Sequence, residues 1–120
     1  MTTTATKHVP VEVLAELANE FAAGLPARVA VMREAIEDVA RGRSADAAHR
    51  LRLSAHALAG TASAFGATEL VPHTERLEAL GKEWQERNGA ATRASITVAK
   101  RAIELLAANL DPVIDRLRLR

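Results

Sequence analysis

The chain has 120 residues, enough for one hydrophobic core and too few for two. It is 48% hydrophobic and 26% charged, with a formal charge of +1, and this near balance excludes the electrostatic footprint of a nucleic-acid-binding protein. It contains no cysteine, which excludes disulfides and thiolate chemistry and suits a cytoplasmic setting.

No apolar run approaches the roughly 20 residues that a membrane span needs, and the N-terminus has no apolar segment of signal-peptide type. A cytoplasmic protein without membrane contacts is expected. Alanine, leucine, glutamate and arginine are abundant, and β-branched residues never alternate with polar ones over a strand's length. That is the composition of helices packed through leucine, alanine and valine.

In chain order, residues 1–8 are threonine-rich without periodicity and read as a flexible tail, leaving 9–120 as a single domain. A short first helix is expected from about Pro10 to Ala23, with Leu14, Leu17 and Phe21 on one face. Gly24 and Pro26 should break it, with Pro26 in the first turn of the next helix. That second helix carries Leu25, Val29, Met32, Ile36 and Val39 and ends near Gly42. Ser44 is suited to cap a third helix, with Asp46 in its first turn, and Gly66 to end it. Thr68 is the expected cap of a fourth, with a seam of Leu70, His73, Leu77, Leu80 and Trp84 and with Pro72 near its start. Asn88-Gly89 marks a turn. The last helix carries Ile96, Ala99, Ile103, Leu106, Leu110, Val113 and Leu117, and Pro112 should kink or restart it. Short connections between long amphipathic helices predict an all-α, up-down antiparallel four-helix bundle with a short additional N-terminal helix.

Within the third helix, Leu51, Ala55, Leu58, Ala62 and Phe65 follow the 4-3-4-3 spacing of a buried seam. His56 points away from that seam into solvent. His49 and Arg52 precede it on the open face, and Ala59, Gly60 and Ser63 follow. A rigid helix thus presents an imidazole with little bulk on its C-terminal flank. Glycine in a helix interior costs about 1 kcal/mol relative to alanine, and at Gly60 the gain is close approach of another surface to the ring.

His56-Ala57-Leu58-Ala59-Gly60, Gly66 ten residues after the histidine, Leu70 at fourteen and Leu77-Glu78 at twenty-one and twenty-two form a pattern. It resembles the signature of histidine-containing phosphotransfer (HPt) domains. The run from Phe21 to Ile36, with its Leu-Pro-x-Arg, resembles their N-terminal half. The alternative register on His49 places Leu53 at the small-residue position, and Ala59 and Ser63 where glycine and leucine belong. The resemblance implies a four-helix bundle that passes a phosphoryl group between receiver-domain aspartates in a two-component phosphorelay. His56 would be the phosphoryl acceptor and donor. An imidazole nitrogen is a competent nucleophile near neutral pH, and phosphoryl transfer asks mainly for positioning and charge stabilisation.

The family usually carries lysine three residues after the histidine, where this chain has Ala59. Arg52, one turn before His56, is the candidate replacement cation. A receiver is expected to cover His49, Arg52, Leu53, His56, Gly60 and Ser63, with Leu53 and Ala57 among its apolar contacts. The chain needs no cofactor of its own, and the receiver would supply a divalent metal. It shows no glycine-rich phosphate loop of a kinase. A monomeric phosphoryl carrier is expected, rather than an autonomous enzyme. The substitution at Ala59 motivates one alternative, an HPt-like docking module that has lost transfer; a structural helical bundle is another. Glu69 and His73 have metal-ligand spacing, but no second such pair exists, so no metal site is expected. Arg116, Arg118 and Arg120 suit the C-terminal end of a helix dipole.

Overall fold

An apolar stripe runs without interruption through Ala18, Phe21, Ala22, Leu25, Val29, Met32, Ala35, Ile36 and Val39, all buried. In the computed structural model, which describes residues 10–118, that stripe is one face of a single helix, α1 (Val11–Arg41). The short N-terminal helix is therefore not separate; it is the first part of α1. Pro26 lies inside α1 on its exposed side and forfeits one backbone hydrogen bond. A break there would throw Phe21 and Ala22 out of register with Leu25 and Val29, and keeping the stripe aligned outweighs the loss. Leu14 and Leu17, on the same face as Phe21, are 47% and 42% exposed. The expected tail at 1–8 lies outside the described residues.

The other helices are α2 (Ala45–Ala64), α3 (Val71–Glu86), α4 (Arg93–Ala108) and α5 (Leu110–Arg118). Ser44 caps α2, its hydroxyl accepting from the Ala47 amide at 3.0 Å, and Asp46 occupies the first turn. Thr92 caps α4 in the same way, through the Ser95 amide. Thr68 does not cap α3. It lies in a 3₁₀ turn, Thr68–Leu70, that leads into α3 and leaves Pro72 in the first turn. The fourth helix restarts at Asn109, whose side-chain amide donates to the Leu105 carbonyl, and Pro112 lies within α5.

Cross-contacts run antiparallel throughout. Arg50 of α2 bonds Asp38 of α1 at 2.9 Å, Lys100 and Glu104 of α4 face Glu37 and Arg33 of α1, and the Trp84 indole donates to Ser95 at 3.0 Å. Each helix packs on its chain neighbours, and α1 closes the ring against α4 and α5. The result is an all-helical, up-down four-helix bundle with α4 and α5 sharing the fourth position. The Arg50 hydrogen bond holds the Asp38 carboxyl below its ordinary range. Whatever that pair contributes is complete above the ordinary carboxylate pKa of about 4 and fades as pH falls through the lowered folded value.

Leu51, Leu58, Leu77, Ile103, Leu106 and Leu110 are buried as expected. Phe65 and Leu80 are only partly so, packed on the margin of the core. Phe65 stacks on Phe21 with ring centroids 5.0 Å apart. The inner face of α3 is Thr74, Leu77, Gly81 and Trp84, continuing from Leu70 in the 3₁₀ turn, so His73 and Leu80 are rotated off it.

Two glycines set how α2 and α3 meet. Gly81 packs so tightly that a Cβ there would lie 2.8 Å from the Arg52 amide nitrogen and 3.1 Å from the Ala48 carbonyl oxygen. At the Asn88-Gly89 turn, Gly89 has φ +84 and its carbonyl accepts from the Ser44 amide at 3.2 Å; a Cβ there would collide with the backbone of Ser44 and Ala45. Gly81→Val should force α3 away from α2 and lower stability by about 1–3 kcal/mol. Urea unfolding measures this, and an unchanged midpoint would show that the two helices can part freely.

Candidate functional site

The close packing at Gly81 brings the outer edges of α2 and α3 within side-chain reach, and His56 stands on that seam. Its ring is 73% exposed, and its Nδ1 lies 2.8 Å from Glu78 Oε2. A carboxylate only accepts hydrogen bonds, so the imidazole donates its Nδ1 proton to Glu78. In the neutral form of the ring the lone pair is then on Nε2, which has no hydrogen-bond partner among the described residues. Glu78 therefore selects the tautomer and fixes the ring plane.

His49, two turns earlier, has the opposite arrangement. The Arg52 guanidinium donates to Gln85 Oε1 at 3.1 Å, so the other end of that amide, Nε2, is the donor toward His49 Nδ1 at 2.9 Å. The lone pair of His49 is thereby occupied, and its proton lies on the outward Nε2. One open face holds two exposed histidines, and only His56 presents a free nitrogen lone pair to solvent.

Arg52 is half-buried and tied to Gln85 on α3, on the side away from His56. Its side chain leans toward the helix N-terminus, as helical side chains do. Serving a phosphoryl group at His56 would require breaking that bond. Of the other residues anticipated on this face, Leu53 is 52% exposed, Ala57, Gly60 and Ser63 are exposed, and Ala59 is half-buried. A Cβ built on Gly60 would meet nothing within 4 Å, so no intramolecular packing explains that glycine. The approach to His56 is bordered by alanine, glycine and serine.

Glu78 belongs to the motif in the sequence, but its contact with His56 is not readable from spacing, because it crosses two helices. Gln85 carries no sequence signal for its bridging role. His73 is partly buried beside α4, and Glu69 is engaged by Arg116, whose guanidinium also donates to the Gly66 carbonyl at 3.2 Å. That hydrogen bond from Arg116 is the main reason the Glu69 carboxyl is held below its ordinary range. Among the described residues, no three histidines or carboxylates cluster as metal ligands, and no helix is long and apolar enough to cross a membrane.

Glu78→Ala should free the ring to rotate and change tautomer. For a phosphoryl-accepting His56, transfer is expected to slow about tenfold, the value of one hydrogen bond of roughly 1.4 kcal/mol. Stopped-flow transfer measurements decide this, and an unchanged rate would mean that orientation by Glu78 is irrelevant.

A family model described as Hpt domain matches residues 16–111 of the chain. No curated protein and no solved structure matches it.

Proposed function

The chain belongs to the Hpt domain family, and we propose that its His56 carries a phosphoryl group between receiver-domain aspartates in a two-component phosphorelay. Membership in the family connects the chain to two-component phosphotransfer and to receiver domains in general. The observation that carries the residue assignment is the His56 Nδ1–Glu78 contact at 2.8 Å, which leaves Nε2 free on an open face.

In this reading the Nε2 lone pair attacks the phosphorus of an aspartyl phosphate on the docked receiver. The P–N bond forms as the bond to the aspartyl oxygen breaks, and the carboxylate departs with the electron pair. Nδ1 keeps its proton, and Glu78 offsets the positive character that the ring acquires. In the second half, a carboxylate of another receiver attacks phosphorus and the pair returns to Nε2. The bundle supplies position, and the receiver supplies a divalent cation and most of the charge stabilisation. With Ala59 in place of the usual lysine and Arg52 bound to Gln85, the nearest cation by helical position is Lys82. It follows Glu78 by one turn on α3 and is exposed.

The docked receiver covers His49, Leu53, His56, Ala57, Gly60 and Ser63. Gly60→Gln is expected to raise stability by about 0.5–1 kcal/mol through helix propensity while slowing transfer by obstructing the approach. A paired measurement of thermal midpoint and transfer rate tests it, and a stabilised variant with wild-type transfer would refute the steric role. The second reading, a docking module without transfer, is favoured by Ala59 alone. Incubation with a receiver prephosphorylated by a small phosphate donor separates the two. Movement of label onto the chain as an acid-labile, base-stable adduct is the outcome for a carrier; stable binding with all label left on the receiver is the outcome for a docking module.

A further inference from the structure

Between α3 and α4 lies a cavity of about 330 Å³. It is remote from the His56 seam. Arg76, on its rim, leaves α3 about 160° around the helix from Glu78. The floor is apolar: Ala102 is buried, and Val98 and Leu105 stand beside it, 40% and 39% exposed. Arg76 comes in from α3 and Arg101 from α4, with His73 at the same rim.

Both arginines are exposed, and neither Arg76 nor Arg101 has an ion-pair partner among the described residues. Two uncompensated guanidinium groups therefore flank one apolar hollow from opposite walls. An inorganic anion would satisfy the charges but leave the floor wet. A neutral apolar molecule would cover the floor but leave the cations without a partner. From this combination we propose that the groove binds a small organic anion with an apolar body, of the medium-chain carboxylate class. Its carboxylate is held between Arg76 and Arg101, and its chain lies on Val98, Ala102 and Leu105. The volume is at the lower end of the range of about 300–1,000 Å³ typical of small-molecule sites. Because the groove is on a different side of α3 from Glu78, the ligand and a docked receiver are accommodated together.

The test is a titration of the full chain, labelled with ¹⁵N, with octanoate, and in parallel with octanol and with inorganic phosphate. Octanoate should give saturable amide shifts at residues 73–76 and 97–105, with a Kd on the order of 1 mM for so small a ligand. Arg76→Gln and Arg101→Gln should each weaken binding about fivefold, as exposed ion pairs do, and together more than tenfold. Leu105→Asp should abolish it, and spectra of all four variants should retain the shifts of the folded bundle elsewhere. The same variants should leave the His56 amide unmoved. Absence of saturable shifts would overturn the proposal. So would phosphate or octanol reproducing the octanoate response, or undiminished octanoate binding in the double arginine variant.

Discussion

His56→Gln is expected to abolish phosphoryl acceptance from a phosphorylated receiver, a loss of about a thousandfold or more because the nucleophile is gone. His49→Gln should transfer within about threefold of wild type, since only an orienting contact on the rim is removed. The two histidines share one helix face, and both are exposed. They differ in what their nitrogens are doing: Nδ1 of His56 donates to Glu78, whereas Nδ1 of His49 accepts from Gln85. Glutamine retains length and polarity at an exposed position, so both variants should show the helical circular dichroism of the parent. Loss of transfer in His49→Gln with retention in His56→Gln would reverse the assignment.

Leu58→Ala should have the largest effect on stability, about 2–5 kcal/mol, from lost apolar contact plus the void left behind. Leu58 is fully buried on the underside of α2, two residues beyond His56, and its neighbours on that face, Ala55 and Ala62, are too small to fill the space. Alanine is itself the best helix former, so the cost falls on packing and not on α2. Urea unfolding monitored at Trp84 reads the change, and a loss below about 1 kcal/mol would mean that the core collapses around the void.

The four-helix architecture was readable in the sequence because 4-3-4-3 seams, Ser44 and the Asn88-Gly89 turn are local signals. Pro26 signals a local break, and the tertiary burial that carries α1 through it leaves no local mark in the sequence. The seam of α3 was shifted toward His73 and Leu80 for a related reason. Thr74 and Gly81 face the core, Thr74 because its hydroxyl donates to the Val71 carbonyl and Gly81 because α2 passes so close. A scale of hydrophobicity sees neither. His56 was readable from its position opposite the seam together with the motif. Its partner Glu78, and the Arg52–Gln85–His49 chain, depend on how two antiparallel helices are set side by side, which no spacing within one helix encodes.

The most direct test of the account is to identify the phosphorylated nitrogen. Long-range ¹H–¹⁵N NMR on the chain, before and after phosphorylation by a receiver, reads both tautomer and linkage. Before transfer, His56 should carry its proton on Nδ1 and His49 on Nε2. Afterwards the phosphoryl group should be on Nε2 of His56, with the Nδ1 proton still bonded to Glu78. A phosphoryl group on Nδ1 of His56, or on His49, would contradict the account.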